Sequence, residues 1–281
     1  MTDEHDEGRR RPGRVKEITS PANPIIKDIR ALTSKKDREA NGAFLSEGLG
    51  FVEDALAQGW PIRTLVHAIA ARGEKRVREA AAHTLAAGGQ VLEVSEAVLT
   101  AITRRDNPQP VLGIFEQRWM PLDRLRPRHN ETLVALDRVR DPGNLGTIIR
   151  TADAAGASGV ILIGECTDPF ALEAVRATMG SLLAMPLIRC SENAFLAWRK
   201  QSGAQTVATH LSGAVDYRAV DYAERPVVLL MGNEQSGLPE TLAAAADIRV
   251  RIPQQGSAES LNLAIATAVM LFEARRHLLK L

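Results

Sequence analysis

Cysteine is scarce in this 281-residue chain: Cys166 and Cys190 are the only two. They lie far apart, with no second Cys or His at ligand spacing. A disulfide framework and a structural zinc site are therefore not expected, and a reducing compartment is the simple reading. Charge of one sign is not in excess either, since 35 basic residues face 34 acidic ones for a net charge of +1. Any surface for a polyanion has to come from local clustering. The N-terminal segment MTDEHDEGRRRPGR has no apolar stretch of the kind a secretory signal needs. The longest weakly polar run, Leu261 to Phe272, is shorter than the ~20 residues of a membrane span and holds Asn262 inside it. The expectation is a cytoplasmic protein with no membrane partner. Several ligand fingerprints are missing as well. No GxGxxG follows a strand, no GxxxxGK[ST] is present, and no His/Asp/Glu cluster has metal spacing. None of the six His residues pairs with a Ser or Cys in a recognisable nucleophile motif. No metal is expected.

The composition that remains, 45% hydrophobic and 25% charged, is that of an ordinary globular protein,. The length favours two domains. Balance overall hides local bias: Arg9 to Arg38 carries ten basic against three acidic residues, whereas Asp221 to Ser260 carries six acidic against three basic. The basic run reads either as a solvated face or as an electrostatic arm for a polyanion. In the first half, helical patterns at Pro24–Leu32, Gly50–Gln58 and Glu74–Ala87 alternate with strand patterns. Those strands are Phe44–Leu45, Ile62–Ile69, Val91–Val94 and Val111–Glu116, which together make a small α/β unit. The segment WMPLDRLRPRHNE is turn-rich and reads as a linker. The expected organisation is a charged flexible tail 1–16, a first domain 17–118, a linker 119–131 and a second domain 132–281.

In the second half, apolar runs at Thr132–Leu136, Gly159–Ile163, Met185–Ile188, Thr206–Thr209, Val227–Met231 and Ile248–Ile252 alternate with helical patterns. The notable helices are Leu145–Ala155, Ala194–Lys200 and Leu261–Leu279. Continuous Val/Ile/Leu strands separated by helices imply a parallel sheet covered on both faces. Its ligand is expected beyond the carboxyl ends of the strands. Three polar, Gly-containing loops follow such strands: DPGNLGTIIR from Asp141, GNEQSGLP from Gly232 and IPQQGSAESLN from Ile252. Each alone reads as a turn with a helix cap, Asn144 capping the helix it precedes and Ser260 the last helix. Three together at the strand ends of one sheet read as a site that binds a small molecule largely through backbone.

The same three loops resemble the signature motifs of the SpoU (TrmH) family of SPOUT methyltransferases: NLGTIIRTADAAG, Asn144 to Gly156; MGNEQSGL, Met231 to Leu238; and IPQQGSAESLNLAIATAVMLFEA, Ile252 to Ala274. They occur in the family's order and, with their strands, span about 150 residues from Thr132 onward,. The first half, ITSPANPIIKDIRAL with FLSEG, resembles the L30e-like substrate-binding domain attached to many of these enzymes. The resemblance implies a C-terminal trefoil-knotted α/β SPOUT domain preceded by a smaller L30e-like α/β domain, and a homodimer through the methyltransferase domain. The implied reaction is methyl transfer from S-adenosylmethionine to a ribose 2′-hydroxyl of RNA, rRNA before tRNA, without a metal. It also implies that Gly232, Ile252 and Leu261, with Thr209 and His210 nearby, hold the cofactor, and that Arg150, Asn144, Glu234, Ser260 and Asn262 serve the reaction. Arg150 matches the catalytic arginine, which at a pKa above about 12 suits a phosphate clamp and oxyanion stabiliser better than a base. Glu234 is then expected to orient Arg150 or Asn144. Gln235 and Gln254 depart from the family, which commonly has glycine and methionine there. The readings in competition are the same reaction on tRNA and a catalytically silent RNA-binding or ribosome-assembly factor.

Overall fold

A computed structural model of the chain describes residues 13–210, 215–257 and 259–280. Two compact units emerge: residues up to 117 together with 170–172, and residues 118–169 with 173–281.

The first unit contains β1 (Val15–Ile18), α1 (Pro24–Ala31), α2 (Lys35–Asn41), β2 (Ala43–Glu47), α3 (Leu49–Ala57), β3 (Ile62–Ala68), α4 (Lys75–Ala86), β4 (Gln90–Val94), α5 (Glu96–Thr103) and β5 (Val111–Glu116). Its sheet has the order β1-β4-β3-β5-β2, parallel except for β5, which runs antiparallel to β3 and β2. Helix α1 starts where the sequence says it should. Asn23 Oδ1 accepts from Ile25 N at 2.9 Å, Pro24 opens the first turn, and Ile26 and Ile29 bury the inner face,. Those isoleucines join Leu45, Val66, Leu92 and Ile102 in one core.

Two sequence readings are corrected here. Val15 and Lys16, assigned to a tail, begin β1, which pairs in parallel with β4 through Val15↔Val91 and Lys16↔Leu92. A four-residue edge strand with only Ile18 buried carries too little apolar alternation to announce itself,. Arg38, counted in the basic run, is buried. Its Nη1 donates to Leu32 O and Thr33 O at 2.9 Å, so it holds α2 by hydrogen bonds where KKDREAN lacks an apolar stripe,. Arg9 to Arg11, the start of the same basic run, lie outside the described residues.

The second unit contains β6 (Thr132–Asp137), α6 (Pro142–Ala154), β7 (Gly159–Ile163), α7 (Leu172–Thr178), β8 (Leu187–Cys190), α8 (Glu192–Ser202), β9 (Gln205–Thr209), β10 (Val215–Asp216), β11 (Val227–Met231), α9 (Glu240–Ala245), β12 (Ile248–Arg251) and α10 (Leu263–Ala274). Seven strands form a sheet of order β10-β12-β9-β11-β6-β7-β8, and every pair in it is parallel. Each residue of β6, β7 and β11 is buried, which is why these strands read as unbroken apolar runs,. From β6 the chain winds outward to β7 and β8, then returns to place β9 and β11 on the other side. The order therefore reverses between β6 and β11, whose carboxyl ends lie level at Leu136↔Met231,.

The segment expected as a linker packs into this unit. Leu125 is buried in its core, Met120 and Leu122 lie against it, and Trp198 Nε1 donates to Leu125 O at 3.0 Å. The last helix is shorter at both ends than its pattern, because Asn262 caps it and Arg275 closes it.

Candidate active site

Three loops leave the carboxyl ends of β6, β11 and β12, and their own chemistry locks them together. After β6, Arg138 adopts a left-handed φ of 46° and turns the chain toward α6,. Asp141, not Asn144, is the N-cap: its Oδ1 accepts from Asn144 N at 2.6 Å, and Pro142 occupies the first turn,. Asn144 thus sits inside the helix, where its side-chain amide is left to reach outward.

After β11, Asn233 and Gly237 exchange two backbone hydrogen bonds, of 3.1 and 2.9 Å, and Gly237 supplies the left-handed φ of 65° that closes the turn,. The buried Asn233 side chain fills this turn. Its Oδ1 accepts from Gln235 N at 2.9 Å and Ser236 N at 3.1 Å, while its Nδ2 donates to Arg138 O at 2.6 Å, tying the second loop to the first. Glu234 makes the next tie. Its carboxylate accepts from Arg140 N and Asp141 N, each at 3.2 Å, and from Asn144 Nδ2 at 3.4 Å. After β12, Asn262 caps α10, its Oδ1 accepting from Ala264 N at 2.8 Å and Ile265 N at 3.3 Å. Its Nδ2 donates to Asn144 Oδ1 at 3.0 Å.

Two recesses share this network. A cleft of about 610 Å³ runs over the ends of β9, β11 and β12 and is lined by Thr209, His210, Gly232, Ile252, Ser260 and Leu261 among others. A recess of about 390 Å³ is lined by Arg140, Asp141, Asn144, Glu234, Gln235 and Asn262. Asn144, Glu234, Gln235 and Asn262 line both, so they form the common wall.

Both units match known family models. Residues 131–272 match the model of the SpoU rRNA Methylase family, and residues 23–113 match an MRM3-like substrate binding domain. The chain belongs to the SpoU rRNA methylase family. It is 33% identical over 261 residues to the 23S rRNA (guanosine(2553)-2′-O)-methyltransferase of Bacillus subtilis, covering 93% of this chain and 100% of that one. A crystal structure of an AdoMet-bound rRNA methyltransferase from Sinorhizobium meliloti superposes with a TM-score of 0.91 at 63% identity, over 95% of this chain and 99% of that one. The tRNA (guanosine(18)-2′-O)-methyltransferase of Escherichia coli is 37% identical, but over 153 residues, 54% of this chain and 66% of that one.

Among the positions that the SpoU resemblance singles out, the structure gathers nine at one cleft: Asn144, Thr209, His210, Gly232, Glu234, Ile252, Ser260, Leu261 and Asn262. Arg150 is not one of them. It lies exposed on α6, six residues beyond Asn144, which places it about 240° around the helix and 9 Å along it,. Of the two residues that Glu234 is expected to orient, Asn144 is the one that hydrogen-bonds its carboxylate. Ser260 lines the cleft but does not cap α10. Arg140, Asp141 and Asn233 were not singled out, although the pair Asp141-Pro142 carried a readable signal as an N-cap followed by an N1 proline.

The cleft fits S-adenosylmethionine, the family's methyl donor, on its own evidence. Its volume lies in the small-molecule range,. Gly232 has no room for a side chain, since a Cβ there would meet Gly237 C and Leu238 N at 2.4 Å, so bare backbone faces the cleft,. Burial pushes the thiols of Cys166 and Cys190 up to about 11, leaving both protonated near neutrality and unsuited to nucleophilic work,. Among the described residues no group of three or more His, Cys, Asp or Glu could hold a metal ion, and no helix is long and apolar enough to cross a membrane.

Proposed function

We propose that 23S rRNA is the substrate of this S-adenosylmethionine-dependent RNA 2′-O-methyltransferase. The chemistry of this reading is carried by the common wall: Asn144, Glu234 and Asn262 line both the cofactor cleft and the polar recess assigned here to the ribose. The preference for rRNA over tRNA rests on extent: rRNA methyltransferases match nearly the whole chain, its substrate-binding unit included, whereas the tRNA enzyme matches 153 residues. The first unit then reads RNA shape and exposed loop bases, and the N-terminal arginines add salt-dependent phosphate contacts. The fold this assigns includes the family's trefoil knot, and the compartment is the cytoplasm.

When bound, S-adenosylmethionine would supply a methyl group on a sulfonium and leave as the neutral thioether, with the 2′-hydroxyl proton passing to solvent. Gly232, Ile252 and Leu261, with Thr209 and His210, hold that cofactor. A ribose hydroxyl is a weak acid and a poor nucleophile, so the residues must position it and stabilise developing negative charge. Asn144 does the positioning, its amide held between Glu234 and Asn262. Glu234 keeps the Arg140–Asp141 backbone and Asn144 in register. Ser260 orders the loop that meets the ribose.

Arg150 clamps the neighbouring phosphate; exposed on α6 well around the helix from Asn144, it serves the cleft of a second copy,. A homodimer through the methyltransferase domain supplies that copy. Ile265 and Phe272, 53% and 48% exposed and seven residues apart, form an apolar stripe on α10, which packs against α6,. The dimer covers this stripe.

The test is transfer of labelled methyl to separately purified 23S rRNA and tRNA from cells lacking the protein, followed by nuclease digestion to nucleosides. Label on a ribose of 23S rRNA is expected. Label in tRNA alone overturns the substrate but keeps the chemistry. Cofactor binding without transfer to either RNA places the substrate in a ribosomal particle, and absent cofactor binding overturns the enzyme reading in favour of a silent RNA binder. Arg150→Ala should abolish transfer while leaving cofactor affinity intact. Mixed dimers of Arg150→Ala with Asn144→Ala should regain part of the activity if Arg150 serves the partner's site.

A further inference from the structure

We infer that Arg140, held in place by Gln235, grips a phosphodiester of the target RNA strand at the mouth of the smaller recess; this rests on the functional reading above. Arg140 lines that recess and not the cofactor cleft, so its side chain bears on the strand that enters rather than on the methyl donor. Its backbone is fixed to the site, because Arg140 N donates to both oxygens of Glu234, at 3.4 and 3.2 Å. Its guanidinium is exposed, and Nη1 donates to Gln235 Oε1 at 3.1 Å. That is its one side-chain hydrogen bond among the described residues.

The identity of the partner decides what Arg140 can do. A carboxylate at position 235 would hold the guanidinium and cancel its charge. A glutamine holds it and cancels nothing, so an oriented positive charge with four further N–H donors faces the opening. The two carboxylates of the recess do not fill this role. Neither bonds the guanidinium: Asp141 caps α6 through Asn144 N, and Glu234 accepts from the Arg140 and Asp141 backbone and from Asn144 Nδ2. A phosphodiester presents two oxygens with the spacing a guanidinium fork accepts. Gln235 lines both recesses, which links the grip on the strand to the wall of the cofactor cleft.

The experiment compares full-length wild type with Arg140→Ala, Arg140→Lys and Gln235→Ala. The probe is 23S rRNA extracted from cells lacking the protein, assayed from low to moderate KCl. Arg140→Ala should raise KM for the RNA about tenfold, with kcat reduced far less, and S-adenosylmethionine affinity and Tm unchanged. Losing one phosphate contact should also flatten the salt dependence of log KM by nearly one unit of slope. Arg140→Lys should restore the slope but only part of the KM, because it keeps the charge and loses the fork. Gln235→Ala should raise KM by a smaller factor with the slope retained. If Arg140→Ala leaves KM and slope as they are, or shifts cofactor affinity or Tm instead, the grip is overturned and Arg140 merely braces its loop. A wild type that transfers no methyl to this RNA overturns the functional reading itself, whereas an active wild type beside an unaffected Arg140→Ala overturns only this inference.

Discussion

Asn262 donates from Nδ2 to Asn144 Oδ1 across 3.0 Å, joining two residues 118 positions apart. The direction of that bond is set elsewhere. Asn262 Oδ1 faces two backbone N–H groups at the start of α10, so only its Nδ2 can face Asn144,. Asn144 must then turn its Oδ1 to Asn262 and its Nδ2 to Glu234. A helix cap thereby fixes the donor and acceptor polarity of the wall between the two recesses.

Separating cap from polarity gives the first prediction. Asn262→Ala should cost about 1 kcal/mol through the lost cap, lowering Tm by about 2–4 °C. Asn262→Ser keeps a capping oxygen but has no amide to reach Asn144. Its Tm should stay near wild type while kcat falls about tenfold. Calorimetry and methyl transfer, measured on the same preparations, check both; a Ser variant with wild-type kcat would reduce Asn262 to a cap.

Gly232 yields a second. An alanine Cβ would stand 2.4 Å from backbone atoms of Gly237 and Leu238, which cannot swing away as a side chain could. The loop must shift, at about 1–3 kcal/mol, which corresponds to roughly 5- to 150-fold in S-adenosylmethionine affinity if the shift opens the cleft. Isothermal titration should show that weakening while far-ultraviolet circular dichroism stays unchanged. Unaltered affinity would mean that the loop does not touch the cofactor.

How much of this was legible beforehand depends on whether a signal was local. Strands β6, β7 and β11 were readable because burial on both faces demands uninterrupted apolar side chains,. Their alternation with helices gave the parallel sheet and the strand ends where the loops meet. Strand β1 was not readable, since it exists by pairing with β4 more than by burying side chains of its own. The same holds for α2, fixed by hydrogen bonds from the buried Arg38 to carbonyls outside it. Cap assignment was ambiguous by two or three residues at each site helix: Asp141 and Asn144, or Ser260 and Asn262, are all good capping types, and backbone geometry chooses between them,. Arg150 shows the opposite limit. Its motif match was plain, but a helix turns by 100° per residue, and neighbours in a motif need not share a face.

The half-buried thiols supply a pH prediction. With pKa values raised to about 11, Cys166 and Cys190 stay neutral in the folded chain well past pH 8. At pH 8 only about one thiol in a thousand is then ionised, against roughly a quarter for an ordinary cysteine. Alkylation by iodoacetamide, followed by mass spectrometry, should be slow at pH 8, rise about tenfold per pH unit to pH 10, and become fast in denaturant at pH 8. Rapid modification of the native protein at pH 7 would contradict the burial.

Glu234 offers the sharpest separation of structure from chemistry. All the partners of its carboxylate are donors: Arg140 N, Asp141 N and Asn144 Nδ2. A carboxylate has acceptors for every one of them, whereas the amide of Glu234→Gln replaces one oxygen by an NH₂ that faces a donor. Water reaches this exposed network, so the released N–H groups are rehydrated and Tm should move by no more than about 2 °C. The loss falls instead on Asn144: its Nδ2 shares Oε1 with Asp141 N, and the neutral amide oxygen of Glu234→Gln at that position pulls it less strongly than a carboxylate does,. Hydrogen bonds to a charged acceptor exceed neutral ones by about 1–1.5 kcal/mol, so kcat should drop roughly 5- to 10-fold with S-adenosylmethionine affinity little changed. Glu234→Asp keeps the charge but falls short by one methylene and should recover only part of the rate. Steady-state kinetics beside thermal melts decide the matter: a lowered Tm with undiminished kcat would make Glu234 a brace for the loops and nothing more.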